Sequence, residues 1–142
     1  MRFLLLFPVL LVPAFAQENE THKATFLKVC ANCHKPEVVL SARRTKSQWE
    51  DTFEKMVARG AKGTDDEFTS AFLYLMTNFG KVNVNRAPLD ELTQVLGVNE
   101  EMAAAIIKYR RSKGKIEDIE DLAKVPGIDA KKLEEKREAI AF

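Results

Sequence analysis

Two thiols and an imidazole stand within one short run, Cys30-Ala31-Asn32-Cys33-His34. This is the C-x-x-C-H spacing of a c-type haem attachment site. Thiols three residues apart can each add to a vinyl group on one edge of a porphyrin, and the adjacent imidazole then lies under the iron as its proximal ligand. The pattern predicts one covalent haem c on Cys30 and Cys33, with His34 on the iron. A zinc site would need a second pair of ligands, and the sequence offers none nearby. A redox dithiol is expected where a strand runs into a helix, and no segment here reads as a strand. Candidates for the other face of the iron are Met56, Met76 and His22. A Met sulfur opposite an imidazole raises the haem potential and leaves no open position, which suits electron transfer. Met56 also fits an ordinary apolar helix stripe. Arg43 and Arg44 are candidate partners for the haem propionates, because guanidinium matches planar carboxylates; a solvated basic loop is the alternative.

The second group of chemistry-bearing residues is a pair of glycine turns, Leu96-Gly97-Val98-Asn99 and Val125-Pro126-Gly127-Ile128-Asp129. Each is preceded by a short helical segment and followed by a further helix capped by Asn99 or Asp129. Short helix, glycine turn and second helix occur twice, an internal repeat of roughly 30 residues.

The elements that position these groups follow from periodicity. A helix over residues 21–34 carries Phe26, Val29, Cys30 and Cys33 on one face, and Pro36 ends it. Residues 37–46 read as irregular and basic. Ser47 and Glu50 form a capping box for a helix to about Arg59, with Trp49, Phe53, Met56 and Val57 on its stripe. Thr64 and Glu67 open another to Phe79, with Phe68, Phe72, Leu75, Met76 and Phe79 inward; Trp49, Phe68, Phe72 and Tyr74 are expected to pack against the macrocycle. Pro88 is placed at the first position of a helix over 88–95. Helices over about 100–111, 116–124 and 130–140 complete the chain.

At the N-terminus, Arg2, the apolar run Phe3–Val12 and Ala14-Phe15-Ala16 form the three-part pattern of a secretory signal. The run is too short to span a bilayer, which takes about 20 apolar residues. Residues 1–16 are therefore expected to be removed, leaving an exported chain, periplasmic or secreted, with no membrane span. Charge is balanced: residues 17–80 carry nine Lys/Arg and nine Asp/Glu, and residues 81–142 carry twelve of each. Neither half has the positive excess of a strong nucleic-acid binder. Lys108, Arg110, Arg111, Lys113 and Lys115 cluster, but Glu117, Asp118, Glu120 and Asp121 follow closely. No nucleophile–base pair is visible, and apart from His34 the chain has only His22. No enzymatic activity is expected.

Residues 24–80 resemble a small class I-type cytochrome c domain, and are most similar to the haem-binding domain in the alpha subunit of quinohaemoprotein amine dehydrogenase. The resemblance rests on Cys30-x-x-Cys33-His34, Trp49, Met56, Gly60-Ala61, Asp66-Glu67 and Tyr74-Leu75. It implies that Met56, before the glycine turn, is the distal iron ligand. Residues 81–142 resemble the helix-hairpin-helix domain of ComEA-type exported DNA receptors. Val82-Asn83-Val84-Asn85, Ala87, Glu91-Leu92, Gly97, Ala105-Ile106-Ile107, Tyr109-Arg110, Asp121-Leu122, Val125-Pro126-Gly127-Ile128 and Lys131-Lys132-Leu133 carry it. In that family the turn amides press against duplex phosphates across the minor groove, without sequence readout. The resemblance implies contacts from Gly97, Val98, Asn99, Gly127, Ile128, Lys131 and Lys132. Asn99 and Asp129 replace the second glycine of each turn, and Asp129 places a carboxylate in the phosphate path.

The expected architecture is all-α: a signal peptide (1–16), a cytochrome c-like haem domain (17–80) and a tandem helix-hairpin-helix domain (81–142). Its expected partners are a redox protein and, non-specifically, double-stranded DNA. Alternatives are a DNA-uptake receptor in which haem is structural, and a cytochrome subunit of a periplasmic dehydrogenase with the tail as docking element.

Overall fold

The computed structural model describes residues 14–142. Eight helices form along this stretch: α1 (Ala14–Cys30), α2 (Glu37–Leu40), α3 (Lys46–Ala58), α4 (Asp65–Phe79), α5 (Leu89–Leu96), α6 (Glu100–Lys113), α7 (Ile119–Leu122) and α8 (Ala130–Glu135). The fold is thus mostly helical, as periodicity predicts. One correction concerns strands. β1 (Val82–Asn83) and β2 (Ile140–Ala141) pair in parallel, Val82 opposite Ile140 and Asn83 opposite Ala141. Two residues are too few for any alternation to register in a sequence. The expected signal segment lies outside the described residues except for its last three, which begin α1. No helix among the described residues is long and apolar enough to cross a membrane.

In the N-terminal part, α1 lies along α4. Phe26 stacks on Tyr74 with ring centroids 5.2 Å apart, and Lys28 pairs with Glu67. α1 ends at Cys30, earlier than expected, so Cys33 sits on the turn that follows. Pro36 does more than stop a helix, because it caps the single turn of α2. The capping box of α3 is displaced by two residues from the expected Ser47 and Glu50. Thr45 accepts from the Gln48 amide, and the Gln48 side chain accepts from Thr45 N–H at 3.0 Å. Glu50 is instead turned to Lys46, one helical turn back. Val57, expected on the inward stripe, is exposed. The Thr64–Glu67 box forms where expected.

In the C-terminal part, Pro88 is the cap of α5 and not its first residue. α8 ends at Glu135, short of the expected residue 140. A 3-10 turn (Arg137–Ala139) follows, and the chain then extends into β2. Pairing with β1 takes over the backbone groups a longer helix would have used. The Asn85 amide closes the opposite side: it donates to the Ile116 carbonyl and accepts from Ile116 N–H, both at 2.8 Å. Arg110, read as part of a basic cluster, donates to the Val84 carbonyl at 2.7 Å. Val82, Val84, Leu92, Val95, Ile106, Ile116 and Leu122 form a solvent-free core.

That core runs unbroken into the N-terminal part, through Leu75, Met76 and Trp49. The seam is also hydrogen-bonded. Arg44 N–H donates to the Phe79 carbonyl (3.0 Å), and Lys81 N–H to the Arg44 carbonyl (2.8 Å). Trp49 is fully buried, donates from its indole to the Phe79 carbonyl at 3.2 Å, and carries the Arg44 guanidinium over its ring at 4.8 Å. Trp49 therefore belongs to the seam, which corrects its expected place against a macrocycle. Such a cation–ring contact holds Arg44 by the ring quadrupole.

Candidate functional site

A predominantly apolar cavity of about 130 Å³, partly open to solvent, lies between α3 and the turn after α1. Its walls include Cys30, Cys33, His34 and Met56, together with Val39, Phe53, Phe68 and Leu75. The thiols come from the end of α1 and the turn beyond it. Met56 comes from α3, where it follows Thr52 by one turn on the same face. Its place is fixed by how α3 ends. Ala61 N–H donates to the Met56 carbonyl (3.0 Å) and Gly60 N–H to Val57 (2.9 Å), with Gly60 at φ +96°. This is the Schellman pattern, in which the residue after the glycine packs back on the helix; Ala61 and Met56 both line the cavity.

The chemistry of these groups can be read singly. Burial pushes the Cys30 thiol up to about 11, so it is protonated at neutral pH and a poor redox nucleophile, since reactive cysteines have lowered values. His34 Nδ1 is 3.3 Å from the Lys35 carbonyl. A proton on Nδ1 satisfies that contact and leaves Nε2 to act as a ligand. An apolar pocket offering two thiols, an imidazole and a thioether is a donor set that suits a covalently attached haem. Among the described residues, no three His, Cys, Asp or Glu side chains are grouped to hold a bare metal ion.

The other iron-ligand candidates lie elsewhere. Met76 is fully buried in the core and does not line the cavity. His22 faces Ser70 Oγ at 2.7 Å, with Glu18 at 3.8 Å. Neither Arg43 nor Arg44 lines the cavity. Arg43 donates to the Asn78 carbonyl at 2.8 Å and Arg44 to Val39 at 3.3 Å, so the expected propionate partners are seam residues. Phe72 and Tyr74 do not line the cavity: Phe72 packs on the wall residue Phe53, and Tyr74 on Phe26. The residue that sequence reading missed is Arg59, which does line the cavity. It is the cap of α3, one turn beyond Met56, and that i+3 spacing was the available signal.

The two glycine turns share one construction. Gly97 and Gly127 have φ of +69° and +84°, values that side chains rarely tolerate. Val98 and Ile128 then pack inward on the core, which leaves the turn backbone outward. Asn99 and Asp129 cap α6 and α8. The second turn sits against the start of α6: a Cβ on Gly127 would stand 3.7 Å from Met102 Cγ. Their electrostatics differ. Asn99 accepts from Met102 N–H at 2.8 Å, and Glu100 and Glu101 follow it. Asp129 Oδ1 accepts from Lys131 N–H (2.9 Å) and Lys132 N–H (3.4 Å), so the chain's own carboxylate already occupies amides a phosphate would use. The Lys131 and Lys132 side chains are exposed beside it. Lys108, Arg111 and Lys113 lie toward the far end of α6, away from both turns.

Comparison with known proteins agrees with this construction. Residues 77–140 match the helix-hairpin-helix motif family. ComE operon protein 1 of Bacillus subtilis (strain 168) is 44% identical over 59 residues, 42% of this chain and 29% of that protein. Endonuclease/exonuclease/phosphatase family domain-containing protein 1 of Rattus norvegicus is 40% identical over 60 residues, 42% of this chain and 10% of that protein. An uncharacterized protein of Haemophilus influenzae is 36% identical over 63 residues, 44% of this chain and 56% of its own. The similarity thus spans a minor part of the first two relatives, and no solved structure matches. Residues 77–140 of this chain thus match the helix-hairpin-helix motif family, and part of the chain is similar in sequence to part of ComE operon protein 1.

Proposed function

We propose that this chain is an exported, DNA-uptake-type binder of duplex DNA, with one covalent haem c as a staple in its N-terminal cavity. The observation that carries the DNA reading is the presence of two outward-facing glycine turns of one construction, Gly97-Val98 and Gly127-Ile128, within the stretch that matches the helix-hairpin-helix motif family. Backbone amides at such turns, at helix starts, favour phosphate and read no base. Lys131 and Lys132 add charge at the second turn. Binding is weak, on the order of 10⁻⁴–10⁻⁶ M, as expected for a few phosphate contacts without net positive charge. The chain acts by binding and not by catalysis. The test is a titration of residues 17–142 with two duplexes of unrelated sequence at several salt concentrations. Equal affinities that fall with salt, and loss of binding in Gly127→Glu, are expected. No salt-sensitive binding at low ionic strength overturns the reading.

Haem fits as a staple because so short an N-terminal part buries little surface of its own. Cys30 and Cys33 would carry the thioether links, and His34 and Met56 would hold the iron. When bound, haem supplies a one-electron couple. Met56 in the cavity wall favours a second reading, electron transfer to a redox protein partner, since two side-chain ligands leave no open position. Carbon monoxide binding separates the two: a site that resists it is built to carry electrons.

A further inference from the structure

The cavity wall has one feature that its ligand set does not use. Among the described residues, Arg59 is the only Lys or Arg that lines the cavity. The Thr52, Met56 and Arg59 positions follow one another at four- and three-residue steps along α3, so all three share the face turned to the cavity. The end of the helix is pinned: Arg59 N–H bonds back to the Lys55 and Met56 carbonyls, and the Gly60–Ala61 turn closes behind it. Among the described residues no carboxylate forms an ion pair with Arg59, whereas Arg43 lies near Glu138 and donates to Asn78. A haem is apolar except for its two propionates, and a carboxylate brought into an apolar cleft needs a charged hydrogen-bonding partner.

We propose that Arg59 is the propionate anchor of this cavity, a positioning residue that seats the macrocycle and raises its reduction potential. The inference rests on the haem reading above. A guanidinium can meet a carboxylate with two parallel hydrogen bonds, which fixes orientation as well as charge. Its positive charge beside the macrocycle disfavours the ferric state, which carries one more positive charge than the ferrous. Removing it therefore lowers the potential.

The experiment uses residues 17–142, matured with covalent haem, as wild type, Arg59→Gln, Arg59→Lys and Arg43→Gln. Resonance Raman spectra report the propionate-bending band, whose position follows hydrogen bonding to the carboxylates, and a redox titration gives the midpoint. Arg59→Gln is expected to move the band to lower wavenumber and the midpoint downward. Arg59→Lys keeps the charge, so its midpoint stays close to wild type while the band shifts. Arg43→Gln leaves both in place. If Arg59→Gln retains haem and moves neither readout, or if Arg43→Gln moves both, Arg59 is not the anchor and the haem reading still stands. A wild type that retains no haem after acid–acetone extraction overturns the haem reading and the anchor with it.

Discussion

In the N-terminal part, the groups able to do chemistry are side chains that converge on a hollow: two thiols, an imidazole and a thioether from two separate stretches of chain. In the C-terminal part they are backbone amides on two outward turns, and side chains have already taken several of them as helix caps. A side-chain site stands or falls with a few residue types. A backbone site survives most substitutions but is tuned by neighbouring charge, and here the two turns have been tuned differently. Glu100 and Glu101 follow the first, and Lys131 and Lys132 the second. The same hairpin geometry therefore need not mean equal contributions to binding.

The sharpest break between the two parts comes from Cys30→Ser with Cys33→Ser. Covalent haem should be lost completely, read as extractable haem and an intact mass without the adduct, while DNA affinity of the folded protein is retained. Loss of both together would mean that the parts are not separable. Next is the pair Met56→Ala and Met76→Ala. The first should abolish the near-infrared Met–iron band and admit carbon monoxide. The second should leave that band intact and lower stability by about 2–5 kcal/mol in denaturant unfolding, as truncation of a buried Met does. If the spectroscopic outcome is reversed, the cavity assignment fails.

Smaller effects distinguish the turns. Asp129→Gly removes a carboxylate from the second turn and should tighten duplex binding about two- to fivefold, the scale of one charge at a helix end. The cost in stability should be a few tenths of a kcal/mol, since glycine is itself a tolerable cap. Unchanged affinity in a folded Asp129→Gly would show that the second turn does not touch phosphate.

The smallest effect lies at the border of the two parts, where Glu91 of α5 is influenced by Asp90, Lys46 and Glu50. Burial, and then Asp90, raise its carboxyl above the usual 4.5. A raised acid holds its proton longer in the folded state, so stability falls as pH climbs from about 4.5 through the raised value. Glu91→Gln should flatten that decline and raise the melting temperature slightly at pH 7. An unchanged pH profile by differential scanning calorimetry would remove Glu91 from the seam.

The sequence announces what depends on residue type at short range. Cys30, Cys33 and His34 are visible because their spacing is itself the motif. Gly97 and Gly127 are visible because each turn needs a positive φ. The Thr64 box and the Asn99 and Asp129 caps are visible because they are local hydrogen bonds. Less legible was anything decided by a distant partner. Arg43 and Arg44 look like free cations until the carbonyls of Asn78 and Val39 are found beside them. Trp49 looks like a ring meant for a macrocycle until Phe79 and Arg44 claim it. Arg59 was passed over for the opposite reason: it ends a helix, and only the cavity behind it gives its position meaning. The ends of α8 and β2 follow from a strand partner 58 residues earlier in the chain, Val82 opposite Ile140.

The parallel pairing of Val82–Asn83 with Ile140–Ala141 has a consequence for how this unit can be handled. Val84 N–H donates to the Ala141 carbonyl at 3.0 Å, so the points where the chain enters and leaves the hairpin unit are neighbours. A segment whose two ends meet can be spliced into a surface loop of another protein without pulling that loop apart, and its own ends can be joined and reopened elsewhere. The stretch is in this sense a cassette: a graft of residues 81–142 between two adjacent positions of an unrelated scaffold should keep its fold where the scaffold covers the face that here packs on Leu75, Met76 and Trp49.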